Sequence, residues 1–236
     1  MAKPPPPGAL AGRVKEERRI MHFNLESPFW QFVNTLLRFT ALNLLFVVTC
    51  IPLITIGPAR SALYGTVFAY DDHDDIPLCR QYLHRFIREF KQSIIAFIIH
   101  VALGAIIIYS LAFWLSMKGA MTYLAIIVLI IGTVLLVLSY EFFYPLQSRY
   151  TNTVWGFFKL SVGVPMGIPL YAICLLAIDV AFAFLVYYVP FLRVMAIIFG
   201  FSWLAYAKSL IYLRAFDRFE RGAKGDTTTT YKNGSL

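Results

Sequence analysis

The chain has 236 residues, of which 59% are hydrophobic and only 14% charged, and its formal net charge is +8. A soluble domain carries about a quarter charged residues, and a single buried core would need polar surface that is missing between residues 29 and 215. That excludes an ordinary soluble domain, and the positive charge, gathered at the chain ends and in two internal connections, reads as membrane topology before nucleic-acid binding. Cys50, Cys79 and Cys174 are an odd, scattered set that indicates neither a disulfide framework nor a metal site.

Residues 1–28 begin with Pro4-Pro5-Pro6-Pro7, an extended tail, and continue into a charged run, Arg13 to Arg19, that suits a short helix on the membrane surface. The first apolar run starts near Phe29; it is too long for a signal core and lacks a cleavage site, so no cleavable leader is expected. Six apolar segments follow, at 29–50, 51–70, 92–115, 121–143, 162–187 and 190–213. A helix needs about 20 residues to cross the hydrocarbon core. Five segments qualify by length, whereas 51–70 is broken by Pro52, Gly57 and Pro58. The expected fold class is all-α: a polytopic helical bundle of six membrane segments with interfacial helices, occupying 29–215. A disordered tail is expected over 216–236, with Thr227 to Thr230 within it.

Charge decides whether 51–70 crosses. If it does, and both termini are cytoplasmic, eighteen Lys and Arg lie inside and two outside, Lys118 and Arg193, with Arg38 inside the first segment. If it does not, they divide seven to thirteen. The positive-inside rule favours the crossing, made by a broken or tilted segment in a bacterial plasma membrane. The two inner connections read as surface helices. In 78–93, Leu78, Tyr82, Phe86 and Phe90 recur every four residues with basic residues between them, a stripe for anionic inner-leaflet lipid or a partner protein. Tyr144 to Ser161 is a weaker version, and both end in Phe-Lys-x-Ser, at Phe90–Ser93 and Phe158–Ser161.

Ionisable residues within spans are functional candidates by default. Arg38 either snorkels to the inner headgroups or pairs with Glu141, which lies at matching depth. Asp179, deep in the fifth segment, is a neutral hydrogen-bonding group or a cation site. His100 is a packing residue or a proton relay. Gly57-Pro58 and the run Gly163, Pro165, Gly167, Pro169 occupy corresponding segments of two halves, as do the interrupted helices of transporters. The cluster Asp71-Asp72-His73-Asp74-Asp75 is consecutive rather than spaced for ligation and reads as a solvated linker, so no metal is expected. No cofactor motif and no catalytic constellation is legible, and no enzymatic activity is expected.

The turn Pro52-Leu53-Ile54-Thr55-Ile56-Gly57-Pro58-Ala59, preceded by Asn43-Leu44-Leu45 and followed by Ala62-Leu63-Tyr64, resembles the signature of the YesL-like family of bacterial integral membrane proteins. Phe90-Lys91-Gln92-Ser93 and Tyr144-Pro145-Leu146 fit the same pattern, and the likeness covers about residues 25–220. Arg60 departs from it, standing where the pattern has a small residue such as Thr. The family has no established chemistry. The resemblance implies an accessory or regulatory subunit beside the permease subunits of a carbohydrate ABC importer. The chain itself has neither a Walker motif nor the Glu-Ala-Ala…Gly loop that docks a permease on its ATPase. A small solute or ion transporter, and a signalling or assembly factor, remain as alternatives.

Cysteines placed singly at 75, 118 and 155 in a background free of native cysteines test the topology. Positions 75 and 155 are expected to label only from the cytoplasm and 118 only from outside; external labelling at 75 would contradict the charge argument.

Overall fold

Proline and glycine set the helix boundaries in the computed structural model, which describes residues 28–72, 76–222 and 230–231. Helix α1 (Pro28–Cys50) stops ahead of Pro52. A single 3-10 turn, Leu53–Thr55, follows, closed by the Thr55 hydroxyl donating to the Thr49 carbonyl at 2.5 Å and the Pro52 carbonyl at 2.6 Å. Helix α2 (Ile56–Asp72) carries Gly57 and Pro58 in its first turn, where a missing N–H costs nothing. After Pro77 come α3 (Leu78–Leu115) and α4 (Ala120–Arg149). Thr153 caps α5 (Val154–Gly167), its hydroxyl accepting from the Gly156 N–H at 3.2 Å. Then come α6 (Pro169–Tyr188), α7 (Pro190–Met195), a π-helical turn (Ala196–Gly200) and α8 (Phe201–Gly222). Two residues, Tyr150–Thr151, pair antiparallel with Thr230–Tyr231. The N-terminal proline and charged runs, and His73–Asp75, lie outside the described residues.

Five stretches are helical, long and apolar enough to cross a membrane: Phe32–Cys50, Leu78–Leu115, Met121–Arg149, Pro169–Tyr188 and Pro190–Phe219. The protein is an all-α membrane protein. Segment 51–70 is not among the five. It becomes the 3-10 turn and α2, a helix of 17 residues whose Ala59, Ser61, Ala62, Leu63, Tyr64, Gly65, Thr66 and Val67 are all buried. Small residues on every side let neighbouring helices close around it instead of lipid.

From Phe39 onward the chain forms one compact unit. Within it α2 starts level with Ser93 and Phe97 of α3 and Tyr144 of α4, and it runs antiparallel to α3 so that Ser61 meets Glu89 and Gly65 meets Arg85. It therefore accompanies only the first half of α3. Beyond Phe97, α3 continues for about 27 Å at 1.5 Å per residue, close to a hydrocarbon core. From Val101 to Leu115, and in α4 from Tyr123 to Leu138, no residue is buried. These lengths form an antiparallel hairpin whose Ile, Leu and Val side chains face outward, as lipid requires. The buried core lies at the other end, built from Leu63, Tyr64, Tyr82, Phe142, Phe143, Tyr144, Phe157, Tyr212 and Phe216. Most of the described basic residues are there, and it is called the basic end below. Segment 51–70, expected as a broken or tilted crossing, is a short helix after a 3-10 turn, and α2 returns the chain to the basic end without running the length of α3.

Three further boundaries differ from the sequence reading. The surface helix expected at 78–93 and the span at 92–115 are one helix of 38 residues, because no proline interrupts them and Gly104 is tolerated. The segment 162–187 divides at Ile168, whose φ of −134° and ψ of 60° are non-helical, as the residue before Pro169 is biased to be. The tail expected from 216 is helical to Gly222, since Phe216 packs on Phe68 and Tyr150.

α1 is tied to the unusual turn between α7 and α8. A π-helical turn leaves carbonyls without their usual partners, and buried Asn43 answers them: its amide donates to Ile197 O at 2.6 Å and Ala196 O at 3.3 Å, and its oxygen accepts from the Ser202 N–H at 2.8 Å. At the opposite end Arg193 donates to the Val186 and Tyr187 carbonyls at 3.1 and 2.6 Å, capping α6.

The same substitution at two glycines tests this packing. A Cβ on Gly57 would stand 2.7 Å from the Ser93 carbonyl oxygen and 3.0 Å from Phe97 Cβ, whereas one on exposed Gly163 meets nothing within 4 Å. Gly57→Ala is expected to destabilise by roughly 1–3 kcal/mol, and Gly163→Ala to be neutral or stabilising by up to about 1 kcal/mol, read from unfolding midpoints in detergent.

Candidate functional site: a buried charge cluster

Glu141 stands in Ser139-Tyr140-Glu141-Phe142-Phe143, near the basic end of α4, and is buried. Arg60, one turn into α2, donates to Oε2 from Nη2 at 2.9 Å. Lys208 of α8 donates to Oε1, and so does the hydroxyl of Tyr212, one turn further on, at 2.5 Å. The Lys208 ammonium also meets both Asp179 oxygens on α6 at 2.8 Å. The Arg60 guanidinium lies over the Tyr140 ring at 4.5 Å and the Tyr144 ring at 5.5 Å. Two cations and two anions from four helices thus form one neutral group. Burying any one alone would cost several kcal/mol; paired and hydrogen-bonded, they hold one another's charge. Lys208 and the Glu141 side chain are almost fully buried, whereas the Arg60 side chain is 18% and the Asp179 side chain 34% exposed, so the cluster is most open at Asp179.

Arg60, Glu141 and Asp179 are sequence candidates that the fold brings together. Glu141 is answered by Arg60 and Lys208, because α2 runs beside α4 there. Lys208 was not singled out among the sequence candidates. Its position inside 190–213, in Ala205-Tyr206-Ala207-Lys208, was the available signal.

His100 belongs to a separate group. Its Nδ1 lies 2.8 Å from the Ala96 carbonyl, Nε2 lies 3.2 Å from Ser139 Oγ, and Ser139 lies 2.8 Å from Ser161 Oγ. A carbonyl only accepts, so Nδ1 carries the proton and Nε2 accepts from Ser139. The ring stacks on Phe158 with 4.8 Å between centroids. That geometry is a helix-packing tie between α3, α4 and α5.

Gly57-Pro58 and the Gly163–Pro169 run are not brought together. Gly57 faces α3 and Tyr144, while Gly167 faces Phe219 of α8. Asp71 and Asp72 are exposed at the end of α2. Among the described residues no group of three His, Cys, Asp or Glu is placed to hold a metal ion.

The stripe expected to face a partner faces the protein itself. Leu78 and Tyr82 are buried, Phe86 packs against the core and Phe90 is half-buried. The Tyr82 hydroxyl meets Thr49 Oγ1 at 2.5 Å, its ring stacks on Phe86, and Phe86 meets Phe90 edge-on. Periodicity found the apolar face of the helix, but α2 and the end of α1 supply its cover. What α3 turns outward is Arg80, Leu83, His84, Ile87, Arg88 and Lys91.

Residues 39–111 match the model of a family described as "Protein of unknown function, DUF624". The match spans the Asn43-Leu44-Leu45 and Pro52–Ala59 stretches and agrees with the resemblance drawn from them. No curated protein and no solved structure matches the chain.

Neutralising the central anion has a defined consequence. Glu141→Gln leaves Arg60 and Lys208 with one carboxylate between them and is expected to destabilise by about 3–5 kcal/mol. Asp179→Asn, at the exposed edge, is expected to cost about 1 kcal/mol or less, since Lys208 keeps Glu141. Unfolding midpoints of the purified variants in detergent check the ranking.

Proposed function

We infer that this chain works by contact rather than by chemistry, as a non-enzymatic accessory or regulatory subunit of a larger membrane assembly. The partner that the resemblance implies is the permease of a carbohydrate ABC importer. One observation carries the reading: Arg60, Glu141, Asp179 and Lys208 are spent on one another, tying α2, α4, α6 and α8 together, while the basic end presents a mixed surface outward. There Ile87 is 74% exposed and Leu83 44%, between Arg80, His84, Arg88 and Lys91, and Trp155 of α5 is 70% exposed. Large apolar groups among basic ones suit a protein partner at the cytoplasmic membrane surface, or the surface itself.

A second reading, a small transporter, has one observation in its favour. Asp179 reaches the surface from within the cluster and shares Lys208 with Glu141, the kind of arrangement that can exchange a proton or cation.

Copurification from native membranes in mild detergent separates the two. The tagged chain is expected to bring permease subunits with it, and Leu83→Ser combined with Ile87→Ser to lose them while remaining inserted and monodisperse. A wild-type chain that brings none sinks the accessory reading. Loss of solute flux in Asp179→Asn at normal expression would put the transporter reading in its place.

A further inference from the structure

What α3 turns outward changes character at Lys91. From Ile95 to Leu115 every exposed residue is aliphatic or aromatic, as lipid requires. From Arg80 to Lys91 the exposed residues are Arg80, Leu83, His84, Ile87, Arg88 and Lys91. Two observations place the bilayer edge between these parts. Counted back from Leu115, the roughly 20 residues that cross a hydrocarbon core end at Ala96. One turn below it the Gln92 amide donates to the Asn152 carbonyl at 2.9 Å, and Trp155, exposed at the start of α5, stands where tryptophan anchors a helix among headgroups. The headgroup layer adds only about 5–7 Å on each side. Ile87 lies about 14 Å along α3 from Ala96, and Leu83 about 20 Å. Both therefore project into water, beyond the headgroups.

We propose that this face of α3, from Arg80 to Lys91, docks an acidic, apolar segment from the cytoplasmic part of a partner protein. Leu83 and Ile87 stand one turn apart and offer two adjoining apolar contacts. Arg80 and Lys91 flank them, and among the described residues neither forms an ion pair; Arg88 meets Glu89, whose own side chain is buried. The complement of such a face is an apolar pair flanked by Asp or Glu. A membrane surface fits it poorly, because the acyl region that would take Leu83 and Ile87 does not reach them. This surface presupposes the contact function proposed above and adds the chemistry of the partner.

Single cysteines, Leu83→Cys or Ile87→Cys in the full-length chain freed of its native cysteines, are labelled with a membrane-impermeant maleimide. Rates are compared between opened native membranes and nanodiscs that hold the purified chain in lipid from those membranes. Labelling in nanodiscs is expected to be fast, because water reaches the face, and in native membranes about tenfold slower, because the partner covers it. Arg80→Glu combined with Lys91→Glu should restore the fast rate in native membranes, whereas Lys118→Glu, at the far end of the bundle, should leave it slow. Slow labelling in nanodiscs overturns the proposal, since lipid or the chain itself then covers the face. Fast labelling in both settings overturns it as well, and protection that survives the charge reversal overturns the acidic partner. Should the reversed variant fail to insert, Arg80→Gln with Lys91→Gln is expected to speed labelling several-fold, and an unchanged rate is contrary. If permease subunits copurify while 83 and 87 stay open in native membranes, this surface fails and the contact function stands. If nothing copurifies and both positions stay open, both fail.

Discussion

The Glu141 carboxylate, held between Arg60 and Lys208, is the interaction on which the arrangement of the core depends. Helices in lipid gain little from apolar contact alone, since acyl chains are as apolar as leucine, so polar ties and close packing of small residues decide which helices stay together. Glu141 supplies the tie. It draws α2 and α8 to the same level of α4, and Lys208 extends the link to α6 through Asp179. Around the charges sits an aromatic sleeve: Tyr140 and Tyr144 on Arg60, Tyr212 on Glu141, and Tyr64 and Phe142 edge-on to Tyr212. The rings keep water from the pairs, which strengthens each of them.

From this follows the uneven distribution of core. α2 is short and densely packed, so burial concentrates where α2 lies, at the basic end. Beyond it the α3–α4 hairpin extends as two apolar helices with Gly104 and Gly132 on their facing sides, and lipid covers the rest. Asn43 plays for α1 the part that Glu141 plays for α2. A single buried polar side chain meets both donors and acceptors of a π-helical turn and fixes where α1 lies against α7 and α8.

Fold class was legible because long apolar runs and the near absence of charge between residues 29 and 215 leave few alternatives. For 51–70 the break at Pro52, Gly57 and Pro58 was legible, and its reach was not. Charge counting requires only that the chain return to the basic end, and α2 does so without matching the length of α3; the positive-inside rule cannot distinguish these. Arg60 stood out from the sequence as a departure from a pattern of small residues, and it proves to be a member of the central cluster. Lys208 was not singled out, although it stands inside the segment 190–213, and Tyr212 four residues later is buried on the same side of the helix. The Leu78–Phe90 stripe had the right period and the wrong destination. A stripe shows which side of a helix is apolar, and only the position of α2 shows what meets it.

The most direct test of the account is a double-mutant cycle on Glu141 and Lys208. Glu141→Gln, Lys208→Met and their combination would be compared with wild type by unfolding in detergent. If the buried cluster ties α4 to α8, the double variant is less destabilised than the two single losses together, with a coupling of about 1 kcal/mol or more. Losses that add within about 0.5 kcal/mol would contradict the claim that this pair organises the core.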